Sequence, residues 1–547
     1  MAVKESEYNY LVLSDLHLSE GNLPGSGLLS RNEDFFYDDA FARFVAYHLQ
    51  LSKNPRASEQ FRDRPWKLVI NGDIFDFLQV TSLPAEGDEL VHVRGVRTYQ
   101  ELSDNERDYG LGTRSQEIVW KLERIATGHS VFFQALGYLL AHSDCQLVLM
   151  KGNHDVEMYW PDVQRRLREL VAREYADWHL ACRRGHGLES PLPFDERLPQ
   201  ELPPASLENI KFPAWFYHVP DLLYIEHGSQ YDPANALTDF LDPRLPQEPD
   251  QIELPSGSFF VRYFFNKIEQ THPFADNMKP IAKYIRWAVN EEPLDTIQML
   301  IEQRVMIFKS AWDLIAKQAD PIKGSPSLQR GDPTPVPMAD PELPLNRFRW
   351  QQLYDLQRQF QAQAAALGTR TSKITAGMVA VSGLHLFMLA YSLRNFVREK
   401  WRELWASLVA AGSLFVGKTL LNQELNKFDS LVTLKDVAQD VCKALNQPDN
   451  EGKSASVRYH LMGHNHDPRV EELITEGPDK PPYRQWYINT GCWLPAFREW
   501  DRLTRGDVQL VFFRLTPGAS PEDEVLPVLW EWLPQADRPR PIRVQEA

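Results

Sequence analysis

The chain has 547 residues, an apolar share of 43% and a formal net charge of −16; the length calls for two or more domains, and the composition excludes a disordered or fibrous protein. An acidic surface repels phosphate backbones, so general nucleic-acid binding is not expected, although bound cations can reverse the sign inside a site. The four cysteines, Cys145, Cys182, Cys442 and Cys492, are scattered, and the first residues carry no secretory signal, so a reducing, cytoplasmic location is expected.

The first part alternates short apolar runs with longer, helix-like stretches. YLVLSDLHL (10–18), WKLVINGDIFDF (66–77), CQLVLMKGNHD (145–155) and LLYIEHGSQYD (222–232) are rich in Val, Ile and Leu and stop at Gly, Asp, Asn or His. Such runs read as buried strands ending in functional loops, an α/β pattern. AWFYHVPDLLYIEHG (214–228) reads as two strands around a Val-Pro-Asp turn, so antiparallel pairing enters too. The proline-rich stretch at 187–213 reads as surface loop. After residue 455 the strand pattern returns in VRYHLMGHNH, QWYINTGCW, QLVFFRL and VLPVLWEW.

Between these halves the character is helical. Ile297, Ile301, Val305, Phe308, Trp312 and Ile315 recur every three or four positions, an amphipathic helix. Prolines from Pro321 to Pro344 then mark a linker at 320–345. Ile374 to Leu393 holds no charged residue and approaches the ~20 apolar residues that cross a bilayer as a helix. A basic connector with Arg394, Arg398, Lys400 and Arg402 leads to a second apolar segment, Leu404 to Gly417. The pair reads as a hydrophobic hairpin (374–417) that contacts a membrane or is buried in a lid or interface. The expected division is a first α/β part (1–235), a helical insertion (236–454), a second α/β part (455–533) and a proline-rich tail (534–547).

The strand ends place hard ligands where α/β folds build their sites: Asp15 and His17, then Asp73 and Asp76, then Asn153, His154 and Asp155, then His227, and finally His464 and His466 in GHNH. Attack on a phosphate ester needs a nucleophile generated near neutral pH and a sink for phosphoryl charge. Two cations about 3.5–4 Å apart meet both needs, and a shared carboxylate holds them that close. Asp73 is the natural bridge. Asp155 reads as a brace for its loop, and lone His129, His142, His186 and His218 read as structural.

In this order, D-x-H, G-D-x-x-D, G-N-H-D, a later His and G-H-x-H, the chain resembles the calcineurin-like metallophosphoesterase superfamily over roughly 8–235 and 455–500. The resemblance implies a sandwich of two mixed β-sheets flanked by helices, here with a large α-helical insertion. It implies that Asp15, His17, Asp73 and His466 hold one divalent ion and that Asp73, Asn153, His227 and His464 hold another. His154 would be the catalytic histidine that meets the phosphate and the leaving oxygen, and Asp76 the carboxylate that orients it. Carboxylates, imidazoles and an amide oxygen suit Mn²⁺ first, with Fe or Zn²⁺ as alternatives.

The implied function is metal-dependent hydrolysis of a phosphomonoester, phosphodiester or pyrophosphate. An apolar insertion after His227 is similar to that of the branch hydrolysing UDP-2,3-diacylglucosamine, which favours a lipid-linked or membrane-proximal substrate. GNHD keeps His154 where that branch has arginine, and this insertion is much larger, so that substrate is not carried over. A soluble nucleotide or phosphoprotein phosphatase, and a membrane-associated scaffold using the fold for binding only, are the alternatives.

Overall fold

The computed structural model describes residues 3–266, 345, 348–360, 433–496 and 507–542, except for 24–27, 55–60, 62, 86–94, 187–189, 233–234, 256, 259–260, 476–479 and 519–524. The expected helix around 297–315, nearly all of the proline linker and the hairpin at 374–417 lie outside the described residues. The chain divides into two compact units, one of Met1–Asn277, Gly324–Gln357 and Leu434–Ala547, the other of Met278–Lys323 and Arg358–Thr433. Residues 236–266 and 434–454, expected as part of the insertion, thus belong to the first unit. Almost all of the second unit lies outside the described residues.

The first unit is a mixed α/β structure in which helices flank two mixed β-sheets. β1 (Asn9–Leu13), β2 (Trp66–Asn71) and β3 (Gln146–Met150) run parallel and adjacent. Their side chains are buried on both faces, as central parallel strands require. The period of two sends Leu11, Leu13, Leu68 and Ile70 to one face and Tyr10, Val12 and Val69 to the other. On the first face lie α1 (Asp38–Lys53), α2 (Ser115–Gly128), α3 (Ser130–Leu140) and α4 (Pro161–Arg183). α1 starts with Asp38 and Asp39, ends with Lys53 and buries Phe41, Phe44, Val45 and Leu49, so its charges match the helix dipole and its apolar stripe faces the core.

The second face meets the other sheet. β4 (Ile210–Lys211) pairs with β3, placing a short strand inside the stretch expected to be loop. β5 (Tyr217–Val219) and β6 (Leu223–Ile225) pair antiparallel around Pro220 and Asp221, as the sequence suggests. β6 continues in parallel to β7 (Tyr459–Met462), β7 to β9 (Gln485–Asn489), and β8 (Arg469–Leu473) closes that sheet antiparallel to β9. Val219, Leu223, Ile225, Leu461 and Ile488 of this sheet join Tyr10, Val12, Val69 and Val148 in one buried core. Its far face is covered by α5 (Leu434–Asn446), which buries Val437, Ala438, Val441, Cys442 and Leu445. Residues 348–360 are helical, and Trp350 lies 4.7 Å from Phe216 and 5.7 Å from Trp215 between ring centroids.

β10 (Pro495–Ala496) and β11 (Asp507–Val508) form a short ladder of their own. β12 (Val511–Leu515) then joins β1 antiparallel and is followed by β13 (Leu529–Leu533) and β14 (Arg538–Pro541). β14 falls within 534–547, so that stretch is not simply a tail. Pro539 and Pro541 are tolerated because β14 is the sheet's edge, where a missing N–H can face away from the ladder. Among the described residues no helix is long and apolar enough to cross a membrane.

Candidate metal centre

The parallel strands β1, β2, β3, β6 and β7 each stop where a candidate ligand begins. Asp15 and His17 follow β1, Asp73 and Asp76 follow β2, Asn153 and His154 follow β3, His227 follows β6, and His464 and His466 follow β7. The two sheets are tied at this edge. Asn71 Nδ2 donates to the Glu226 carbonyl at 2.9 Å and His227 Nδ1 to the Asn71 carbonyl at 2.8 Å, while within the second sheet the Gly463 N–H donates to the His227 carbonyl at 3.0 Å. All nine side chains are buried, the most exposed being His466 at 6%.

Eight of them fall into three groups: Asp15, His17 and His466; Asp73, His227 and His464; and His17, Asp76 and His154. His466 Nε2 lies 3.2 Å from Asp15 Oδ1, His227 Nε2 lies 3.1 Å from Asp73 Oδ2, and His17 Nε2 lies 3.7 Å from the same Asp73 oxygen. Donors that share an ion at about 2.0–2.2 Å stand roughly 3–3.6 Å apart. Asp15 Oδ1, His17 Nε2, Asp73 Oδ2, Asn153 Oδ1 and His227 Nε2 are buried and make no hydrogen bond. Buried polar atoms are almost always satisfied, so such orphans on Asp15, His17, Asp73 and His227, residues of the same clusters, fit a cation. The donor set of carboxylates, imidazoles and an amide oxygen is chemically suited to one.

The backbone is bent to make this convergence. Nine described non-glycine residues have positive φ, and five of them are Asp15, His17, Asp73, His464 and His466. Left-handed backbone is costly for such residues and concentrates at functional sites. The motif glycines follow from the same crowding. Gly72 has φ +78, and a Cβ there would lie 2.6 Å from the His227 ring. A Cβ at Gly152 would strike Asp73, and one at Gly463 would lie 2.7 Å from Asp15 Oδ2.

Charge is balanced between acids and imidazoles. Burial opposes ionisation of Asp15, Asp73 and Asp76, but His466, His227 and His154 respectively outweigh it and hold the three carboxyls below the ordinary carboxylate range. Burial lowers His227 as well, yet Asp73 raises it to about 9. A bound cation supplies the same compensation that protonated imidazoles supply otherwise.

His154 Nδ1 donates to Asp76 Oδ2 at 2.5 Å. The same oxygen lies 3.4 Å from His17 Nδ1, so Asp76 also orients a candidate ligand. Asp155 braces its loop, as its position suggests: Oδ1 accepts from the Gly152 N–H at 2.6 Å and Oδ2 from the Ile74 N–H at 2.7 Å. Supports without any motif of their own include Ser14, whose hydroxyl is 2.7 Å from that of Thr490, and Asn489, which donates to the Gly463 carbonyl and to Asn465 Oδ1, each at 2.8 Å. Their only sequence signal is adjacency to a ligand or to the NTG turn.

Described residues on either side of the undescribed stretches border the same loops. Ser258 Oγ donates to the Asn153 carbonyl at 3.4 Å, Asn266 Nδ2 to the Leu78 carbonyl at 2.7 Å, and Leu434 lies over Gly228. No family model, curated protein or solved structure matches the chain.

Proposed function

We propose that this chain is a phosphoric ester hydrolase of the calcineurin-like metallophosphoesterase kind, with Asp15, His17, Asp73 and His466 holding one divalent ion and Asp73, Asn153, His227 and His464 holding a second. The observation that carries the proposal is the clustering of Asp15, His17 and His466 and of Asp73, His227 and His464, from four loops far apart in sequence, beside a buried His154–Asp76 pair. Two such ions, Mn²⁺ in this proposal, neutralise phosphoryl charge and make water acidic enough to serve as nucleophile near neutral pH.

The chain's own residues do the rest. Asp76, kept ionised, accepts from His154 Nδ1 and so favours the doubly protonated imidazolium, whose Nε2–H would face the ester. His154 then hydrogen-bonds a phosphoryl oxygen or gives its proton to the leaving oxygen. The buried walls exclude bulk water and strengthen these contacts. A lipid-linked or membrane-proximal phosphate is the proposed substrate class, on the apolar sequence of 374–417.

The test is hydrolysis of a chromogenic phosphodiester with Mn²⁺ by the wild type and by Asp73→Asn. Activity lost in the variant is expected; equal rates would remove the hydrolase reading and leave a binding scaffold. A panel of soluble and micellar esters then sorts the substrate class.

A further inference from the structure

The geometry points to Asp232 and Asn235 as positioning residues for the second ion, an inference that rests on the metallophosphoesterase reading. Neither belongs to a ligand motif. Asp232 Oδ2 accepts from His464 Nε2 at 3.0 Å and from Asn235 Nδ2 at 2.8 Å. Asn235 Oδ1 accepts in turn from Asn153 Nδ2 at 3.3 Å. Backbone bonds from the Asn235 and Ala236 N–H groups to the Asp232 carbonyl, at 3.0 and 2.8 Å, fix the turn that presents both side chains. One relay therefore connects two proposed ligands, His464 and Asn153, that sit on different loops.

The direction of every hydrogen bond in the relay is set by the carboxylate at its head. Asp232 can only accept, so His464 carries its proton on Nε2 and keeps the Nδ1 lone pair for an ion. Asn235 must turn its NH₂ to Asp232, which turns its Oδ1 to Asn153. That oxygen can only accept, so Asn153 commits its NH₂ outward and faces inward with Oδ1, the buried atom that makes no hydrogen bond. A hard cation binds an amide oxygen and not an amide nitrogen. Asp232 thus selects both the histidine tautomer and the asparagine rotamer that an ion requires, and its charge strengthens the imidazole as a donor.

Titration of metal-free protein with Mn²⁺, followed by calorimetry and electron paramagnetic resonance, tests this. Wild type is expected to take two ions and to give the signal of a coupled pair. Asp232→Ala and Asn235→Leu are each expected to weaken the second ion by about 10–100-fold, to leave the first unchanged, and to replace the coupled signal at low metal with that of an isolated ion. Asp232→Asn keeps an acceptor but loses the charge, so an intermediate loss is expected. Thermal unfolding of the metal-free variants is expected to match wild type. Two ions bound at wild-type affinity in both variants would overturn the positioning role. Equal weakening of both ions together with earlier unfolding would also overturn it, in favour of a general structural brace. Failure of wild type to bind Mn²⁺ at all would instead overturn the metallophosphoesterase reading.

Discussion

His129 is expected to make the fold's stability fall with alkaline pH. It sits at the joint between α2 and α3 with Nε2 3.0 Å from Glu33 Oε2 and Nδ1 3.1 Å from both Asp38 oxygens. Both ring nitrogens face carboxylates, so both carry protons and the ring is a buried cation. Glu33 in turn accepts from the Gly21 N–H at 2.6 Å and the Ser19 hydroxyl at 2.9 Å, so this cation anchors the loop that leaves Asp15 and His17. Burial pushes the imidazole down, but Glu33 and Asp38 raise it to about 10 from 6.5. A raised folded-state value means that the stabilisation is complete below about pH 6.5 and is lost as pH climbs through about 10. At ~1.36 kcal/mol per unit the ceiling is about 4–5 kcal/mol, and about 3 kcal/mol of it disappears between pH 6.5 and 9.5. Chemical unfolding of wild type and His129→Gln at those two pH values, at one fixed metal concentration, measures it. The gap between the proteins is expected to shrink by about 3 kcal/mol at the higher pH; a gap that stays constant refutes a buried imidazolium.

Three further outcomes concern the site. His154→Ala is expected to slow an alkyl phosphate ester by about 10²–10⁴-fold and a p-nitrophenyl ester far less, because a good leaving group needs no proton; equal losses on both would remove the proton-donor role. Gly152→Ala drives a Cβ into Asp73 and to within 2.8 Å of His227 Nε2, so elemental analysis is expected to find its metal lost, and wild-type metal content would show that the loop yields without moving its ligands. Asn489→Ala strips two acceptors of the GHNH turn, the Gly463 carbonyl and Asn465 Oδ1. About 1–3 kcal/mol of stability should go with them, and unchanged unfolding together with unchanged amide exchange at 463–466 would contradict that.

The candidate ligands could be picked out from sequence because each lies directly after an apolar run, and a hard ligand after a buried strand has few structural reasons to be there. The structure brings those same residues together and adds the reason for their glycines, which the letters alone do not carry: a Cβ at Gly152 or Gly463 would occupy the space of Asp73 or Asp15. The strands β4, β8 and β14 escaped because their sequences, IK, RVEEL and RPRP, lack the apolar run that marks a buried strand, and each lies at a sheet edge. His129, Asp232 and Asn235 were invisible for another reason. Their partners, Glu33, His464 and Asn153, lie far away in sequence, and a single polar residue carries no periodicity that predicts a distant contact. The hydrophobic hairpin at 374–417 stands as a sequence expectation, outside the described residues.

The most direct measurement is a titration of metal-free protein with Mn²⁺ while hydrolysis of a phosphodiester is followed alongside the bound metal content. No turnover is expected without metal, with a rise as ions bind and saturation at two equivalents per chain. Turnover that ignores added metal and chelator, or two bound ions with no hydrolysis of any phosphate ester tried, would contradict the proposed function.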